Sequence, residues 1–186
     1  MRFFENKKIL YRFEAGFEHG YGHLNRSLEF VKFLLKKKFK VIICTSRKSK
    51  KNFEIRNSFF FYKNKNETES EYIKRISIKY KEYIVLIDCK YNYSKNSIKN
   101  LSKKNSIVFF QNFSEGINFS DKLIVPDSHS QNKIKKLNIK LPKIYLGSKY
   151  LILRNEIFSK KKIKTSKYLS LNFGGSDPNN MGEKIF

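Results

Sequence analysis

Ile9-Leu10-Tyr11-Arg12-Phe13 leads through a polar loop into Gly20-Tyr21-Gly22-His23-Leu24-Asn25-Arg26-Ser27-Leu28. The first stretch has strand length and apolar residues at successive positions, as a strand covered on both faces requires. The second opens with two glycines, which permit a tight turn and a close backbone approach to a ligand. It continues as an amphipathic helix over Gly22 to Lys37, where Leu24, Leu28, Val31 and Leu35 recur at helical spacing. Lys36, Lys37 and Lys38 suit the negative end of that helix dipole. Strand, glycine turn and helix in this order leave the first helical N–H groups free to face an anion such as a pyrophosphate.

Further apolar runs follow at Val41-Ile42-Ile43-Cys44, Ser58-Phe59-Phe60-Phe61-Tyr62, Ile84-Val85-Leu86-Ile87, Ser106-Ile107-Val108-Phe109-Phe110, Lys122-Leu123-Ile124-Val125 and Lys143-Ile144-Tyr145-Leu146. Read as strands covered on both faces, they alternate with helices expected over Glu67 to Glu82, where Thr68 and Glu71 form a capping-box pair, and over Tyr93 to Lys104. The expected fold is α/β, a Rossmann-like doubly wound parallel sheet with ligands bound beyond the carboxyl ends of the strands. Residues 1–158 form this domain, and residues 159–167, rich in lysine, read as a linker. Residues 168–186 supply one strand, the turn Gly174-Gly175-Ser176-Asp177-Pro178 and the start of a helix. Such a piece cannot bury its own apolar faces, so a second, truncated α/β domain is expected to continue it in cis.

Composition excludes several classes. Of 186 residues, 40% are hydrophobic, enough for a core, and no apolar run approaches the length needed to cross a bilayer. The charged start Met1-Arg2-Phe3-Phe4-Glu5-Asn6-Lys7-Lys8 lacks the apolar stretch of a signal peptide, so a cytoplasmic protein without integral membrane association is expected. The net charge of +24 would ordinarily raise nucleic acid as a partner. Here 33 of the 40 basic residues are lysine, and Lys, Asn, Ile, Phe and Tyr account for 100 of 186 residues while Ala15 is the single alanine. Those five residues share A/T-rich codons, and the lysines are scattered through every segment, so no nucleic-acid partner is expected. Cys44 and Cys89 each end an apolar run and read as buried free thiols.

The turn Gly20-x-Gly22-His23 lacks the third glycine of the dinucleotide fingerprint, and no acidic residue follows the second strand at the right place, which disfavours NAD. Arg12 with Gly20-x-Gly22-His23-x-x-Arg26-x-Leu28 resembles the opening of the UDP-sugar hydrolases of pseudaminic acid biosynthesis, which are glycosyltransferase-B-like enzymes related to the peptidoglycan-precursor N-acetylglucosaminyltransferases. Ile87-Asp88, the segment Gly147 to Phe158 with Tyr150 and Arg154, and Phe173-Gly174-Gly175-Ser176-Asp177-Pro178 are similar to later segments of that family, in the same order. The resemblance implies hydrolysis of a UDP-linked diacetamido-trideoxy hexose to UDP and free sugar, without metal or cofactor. His23 would activate the attacking water, a role that suits a neutral imidazole at a helix N-terminus. Arg12, Gly20, Gly22, Arg26, Asp88, Tyr91, Tyr150 and Arg154 would contact substrate, and the backbone of Gly174, Gly175 and Ser176 would hold the UDP phosphates.

Each residue also has a plainer use. His23 could cap the helix, Arg12 could pair with Glu14, Asp88 could cap the next helix, and Tyr150 and Arg154 could brace a crossover between domains. His19 and His129 read as surface-loop residues. The chain departs from the family pattern at Glu14, at Gln111-Asn112, at Pro126-Asp127-Ser128, and at Tyr91, which stands one position late after Asp88. A glycosyltransferase of the same architecture, and an inactive lone domain, are the alternatives to the hydrolase.

Overall fold

β1 (Lys8–Phe13) is buried at every position but its first, because it lies near the middle of a sheet that carries helices on both faces. The computed structural model describes residues 7–16, 19–56, 58–127, 134–135, 143–153 and 184. Six further strands, β2 (Lys40–Ser46), β3 (Phe59–Lys63), β4 (Ile84–Asp88), β5 (Ser106–Phe110), β6 (Lys122–Val125) and β7 (Lys143–Leu146), complete the sheet. Its order is β3-β2-β1-β4-β5-β6-β7, and every pairing is parallel. The chain thus forms a Rossmann-like α/β domain, as expected. The order reverses between β1 and β4, and at such a switch point the connections leave in opposite directions and open a crevice at the strand ends.

Helix α1 (Tyr21–Lys36) covers one face, where Leu24, Val31 and Leu34 pack with Ile9, Tyr11, Phe13, Val41 and Ile43. Helices α3 (Glu69–Lys79) and α4 (Lys95–Ser102) cover the other, where Tyr72, Ile73, Ile76, Ile98 and Leu101 meet Leu10, Val85, Ile87, Ile107 and Phe109. Each such side chain contributes about 1.5–3 kcal/mol through removal from water. The capping box of Thr68 and Glu71 forms as its spacing predicts. Between β2 and β3, the one-turn helix α2 (Arg47–Lys50) forms because Ser46 caps it by accepting from the Ser49 N–H; its sequence has no apolar periodicity to announce it.

Three expectations need correction. The run 58–62 is an edge strand rather than one covered on both faces: Phe59 is 77% exposed, and Phe61 is the one buried residue of β3. Its aromatic content overstated its burial. Helix α3 stops at Lys79 instead of reaching Glu82, because Tyr80 turns extended and packs edge-on against Phe61, while Glu82 adopts φ 65° and donates its N–H to the Lys104 carbonyl. Helix α4 begins at Lys95, since the extended Ser94 caps it, and Tyr93 lies before the helix with its hydroxyl on Glu69.

Gly116 lies in a 3₁₀ turn (Glu115–Phe119) pressed against α4. A Cβ there would fall on the Ile98 side chain and come within 3.2 Å of the Tyr93 carbonyl oxygen. Gly116→Ala is therefore expected to destabilise the domain by about 1–3 kcal/mol in urea denaturation, the usual cost of overpacking. Cys44 and Cys89 are free and buried. Burial pushes the Cys44 thiol up to about 12 and moves Cys89 in the same direction, which makes both unreactive near neutrality. Among the described residues no helix is long and apolar enough to cross a membrane.

Candidate active site

The crevice between the carboxyl ends of β1 and β4 gathers three of the residues singled out from the sequence. His23 stands in the first turn of α1, Arg26 one turn later, and Asp88 ends β4. Arg26 Nη2 lies 2.6 Å from Asp88 Oδ1 and 2.9 Å from His23 Nδ1. The same Asp88 oxygen is 3.7 Å from His23 Nδ1. Residues three apart on a helix share a face, so the 23/26 spacing puts both side chains over the end of β4.

Asp88 is 3% exposed and does not cap a helix. Its second oxygen accepts from the Tyr11 hydroxyl at 2.9 Å, and that hydroxyl lies 3.1 Å from Ser27 Oγ. With one proton to give, Tyr11 donates to the carboxylate and accepts from Ser27. Arg26 is held further by Gln111 Oε1 at 3.0 Å and by the Phe110 ring, 4.6 Å from its guanidinium carbon. Gln111 in turn donates to Asp127 at 3.0 Å, with a left-handed backbone at φ 50°. Tyr11, Ser27 and Gln111 escape sequence reasoning because none carries a motif. The one signal was that Gln111-Asn112 and Asp127 stand where the family pattern differs.

His23 is held below the ordinary histidine pKa. Burial is the main cause, and Arg26, His19 and Lys90 act with it against the opposing pull of Asp88. The ring is therefore neutral at pH 7. Gly20 caps α1 with φ 82° and no side-chain cap, and the first turn carries no acidic residue. A Cβ on Gly20 or Gly22 would meet nothing within 4 Å. Gly20 is thus required by its backbone conformation, while the space beside Gly22 stays open at the positive end of the helix.

Arg12 is placed beneath this crevice and not on its surface. It is wholly buried, with Nε and Nη2 each 2.8 Å from an oxygen of Glu69 and Nη1 2.6 Å from Glu14. Its Nη1 also donates to the Phe13 and Cys44 carbonyls. The plainer use, pairing with Glu14, is the one seen here, and Glu69 is the larger partner that sequence reasoning missed. Glu14 further accepts from Thr45, Ser46 and the Ser49 hydroxyl. Burial alone would raise its pKa, but Arg12, Ser49 and Ser46 more than offset that and hold the carboxyl below the usual range. The stabilisation is present above the unfolded-state value of about 4.3 and is lost as pH falls through the lower folded value. Glu14→Gln is accordingly expected to flatten the decline of unfolding free energy below about pH 4, measured by denaturant titration at stepped pH.

Beside these groups opens a cleft of about 440 Å³, lined by Glu14, His19, Ser46, Ser49, Asn52 and Tyr91 among others. Tyr91 is half-buried, edge-on to His19 at 6.3 Å, and stands over the Arg12 and Lys63 cations. Asn112 fixes the loop that carries it by donating to the Cys89 and Tyr91 carbonyls, both at 2.8 Å. Its shifted sequence position therefore still brings Tyr91 to the cleft. Tyr150 packs on Tyr145 at 5.4 Å beyond β7. That strand is three places from β4, roughly 14 Å at the usual strand spacing, so Tyr150 is not brought to His23. Arg154, Gly174, Gly175, Ser176 and His129 lie outside the described residues, as do the linker and the start of the second domain. Among the described residues no group of three or more His, Cys, Asp or Glu could hold a metal ion.

No protein-family model matches the chain. It is similar to an uncharacterized protein of Methanocaldococcus jannaschii, 29% identical over 191 aligned positions that take in 96% of this chain and 39% of that protein. The chain thus spans about two fifths of the length of the curated relative it matches.

Proposed function

We propose that this chain is the N-terminal domain of a cytoplasmic glycosyltransferase-B-type enzyme that hydrolyses a UDP-linked diacetamido-trideoxy hexose to UDP and the free sugar. His23 is the general base for water. The observation that carries this reading is a neutral histidine in the first turn of α1, at the switch point of the sheet, within 3.7 Å of the Asp88 carboxylate. Asp88 stabilises the imidazolium that forms when His23 takes a proton. The leaving UDP gathers negative charge, and the resemblance assigns its phosphates to the segment Gly174-Gly175-Ser176, which lies outside the described residues.

The cleft of about 440 Å³ beside the site favours a second reading, a transferase, because it offers room for an acceptor hydroxyl in place of water. Incubating the full-length protein with the UDP-linked sugar and measuring UDP with and without added acceptors separates the two. The hydrolase releases UDP with water alone. Release that depends on an acceptor assigns the transferase, and no release under either condition removes both.

A further inference from the structure

Arg26 Nη2 stands 2.9 Å from His23 Nδ1, whereas Asp88 Oδ1 is 3.7 Å from that nitrogen, beyond hydrogen-bond reach. A guanidinium has only donors, so Nδ1 must supply a lone pair to it. The single proton of the neutral ring then sits on Nε2. A histidine in that tautomer offers a ligand an N–H, and it cannot take a proton at the same nitrogen. The group proposed as base is held in its donor form.

Arg26 is well placed to enforce this. It donates through one nitrogen to both His23 and Asp88, and so occupies the carboxylate oxygen that the imidazole would otherwise use. Its other terminal nitrogen donates to Gln111, and its guanidinium carbon lies over the Phe110 ring. Its Nε is buried and has no partner among the described residues, so the side chain gives up one hydrogen bond to keep this pose.

We propose that Arg26 is a positioning residue that locks His23 as the Nε2–H tautomer, and that His23 becomes a base only when Arg26 leaves Nδ1 and Asp88 accepts the Nδ1 proton's hydrogen bond in its place. The last step rests on the hydrolase reading. The exchange is neutral overall: Nε2 returns its proton to solvent, Nδ1 takes one, and Asp88 stays ionised. Water activation then transfers a proton from water to Nε2. An anionic diphosphate is the class of ligand able to draw off a guanidinium, because it accepts bidentately from it.

The test is nitrogen NMR of the ¹⁵N-histidine-labelled chain near neutral pH, which needs no substrate and so stands apart from any failure of the hydrolase assay. In the unsubstituted chain His23 is expected to show an unprotonated Nδ1 and a protonated Nε2, in roughly tenfold excess or more over the other tautomer, as one hydrogen bond to a charged group implies. Arg26→Met should reverse the pattern, with Nδ1–H on Asp88. Arg26→Lys, which can only donate, should restore it in part. A protonated Nδ1 in the unsubstituted chain overturns the proposal, as does an unchanged tautomer in Arg26→Met. If that variant does not fold, the unsubstituted spectrum alone decides. A merely structural role for Arg26 would leave the two nitrogens of a folded Arg26→Lys chain free to redistribute, which the same spectrum reads.

Discussion

On the hydrolase reading, His23→Ala in the full-length protein is expected to lower UDP release by about 10²–10⁴-fold, the range that a positioned general base contributes. The loss should fall mainly on kcat, since a group that acts on water in the transition state adds little to ground-state binding. Stability should change little, because the ring is a partly exposed member of the first helical turn whose contacts are Arg26 and Asp88. His19 is the internal control. It touches Tyr91 edge-on at the cleft and no ion pair joins it to a carboxylate among the described residues, so His19→Ala should cost less than about tenfold. Equal losses in both variants, or no loss in His23→Ala, would remove His23 from the chemistry.

Arg12→Met carries the largest expected effect on stability, about 3–5 kcal/mol, and gives a steep fall in the urea midpoint or failure to fold. The size follows from what is left behind. Glu14 and Glu69 would keep their carboxylates in a site with side-chain exposures of 3% and 11%, without the cation that joins β1 to the start of α3. Removing one partner of a buried ion network is costly for that reason, whereas removing the charges together costs far less. The combined variant Arg12→Met, Glu69→Gln should therefore recover part of the loss. An additive or greater loss in the double variant would show that packing against Tyr72 and Tyr91, and not charge, makes Arg12 necessary.

Much of the architecture was legible in the chain because hydrophobic patterning sets secondary structure locally. The seven apolar runs became the seven strands within a residue or two, and the turn Gly20-x-Gly22-His23 opened α1 where its spacing placed it. The Thr68–Glu71 pair capped α3 for the same local reason. Where composition and burial part company, the sequence misled: the aromatic run 58–62 read as a strand covered on both faces and forms an edge strand on which Phe59 is exposed while Phe61 is buried.

The site divides along the same line. That His23, Arg26 and Asp88 belong together could be suspected from motif order, since two lie on one helical face and the third ends a strand. What each does was decided by tertiary contacts. Arg12 and Arg26 look alike in sequence, but one is sealed between Glu14 and Glu69 under the sheet end, and the other lies across His23 and Asp88 at the crevice. Periodicity and capping act over a few residues, so the chain alone determines them. Strand order, and with it the partners brought from Glu69, Asp88 and Gln111, depends on how distant segments pack, so only the folded structure assigns a charge its partner and a histidine its tautomer.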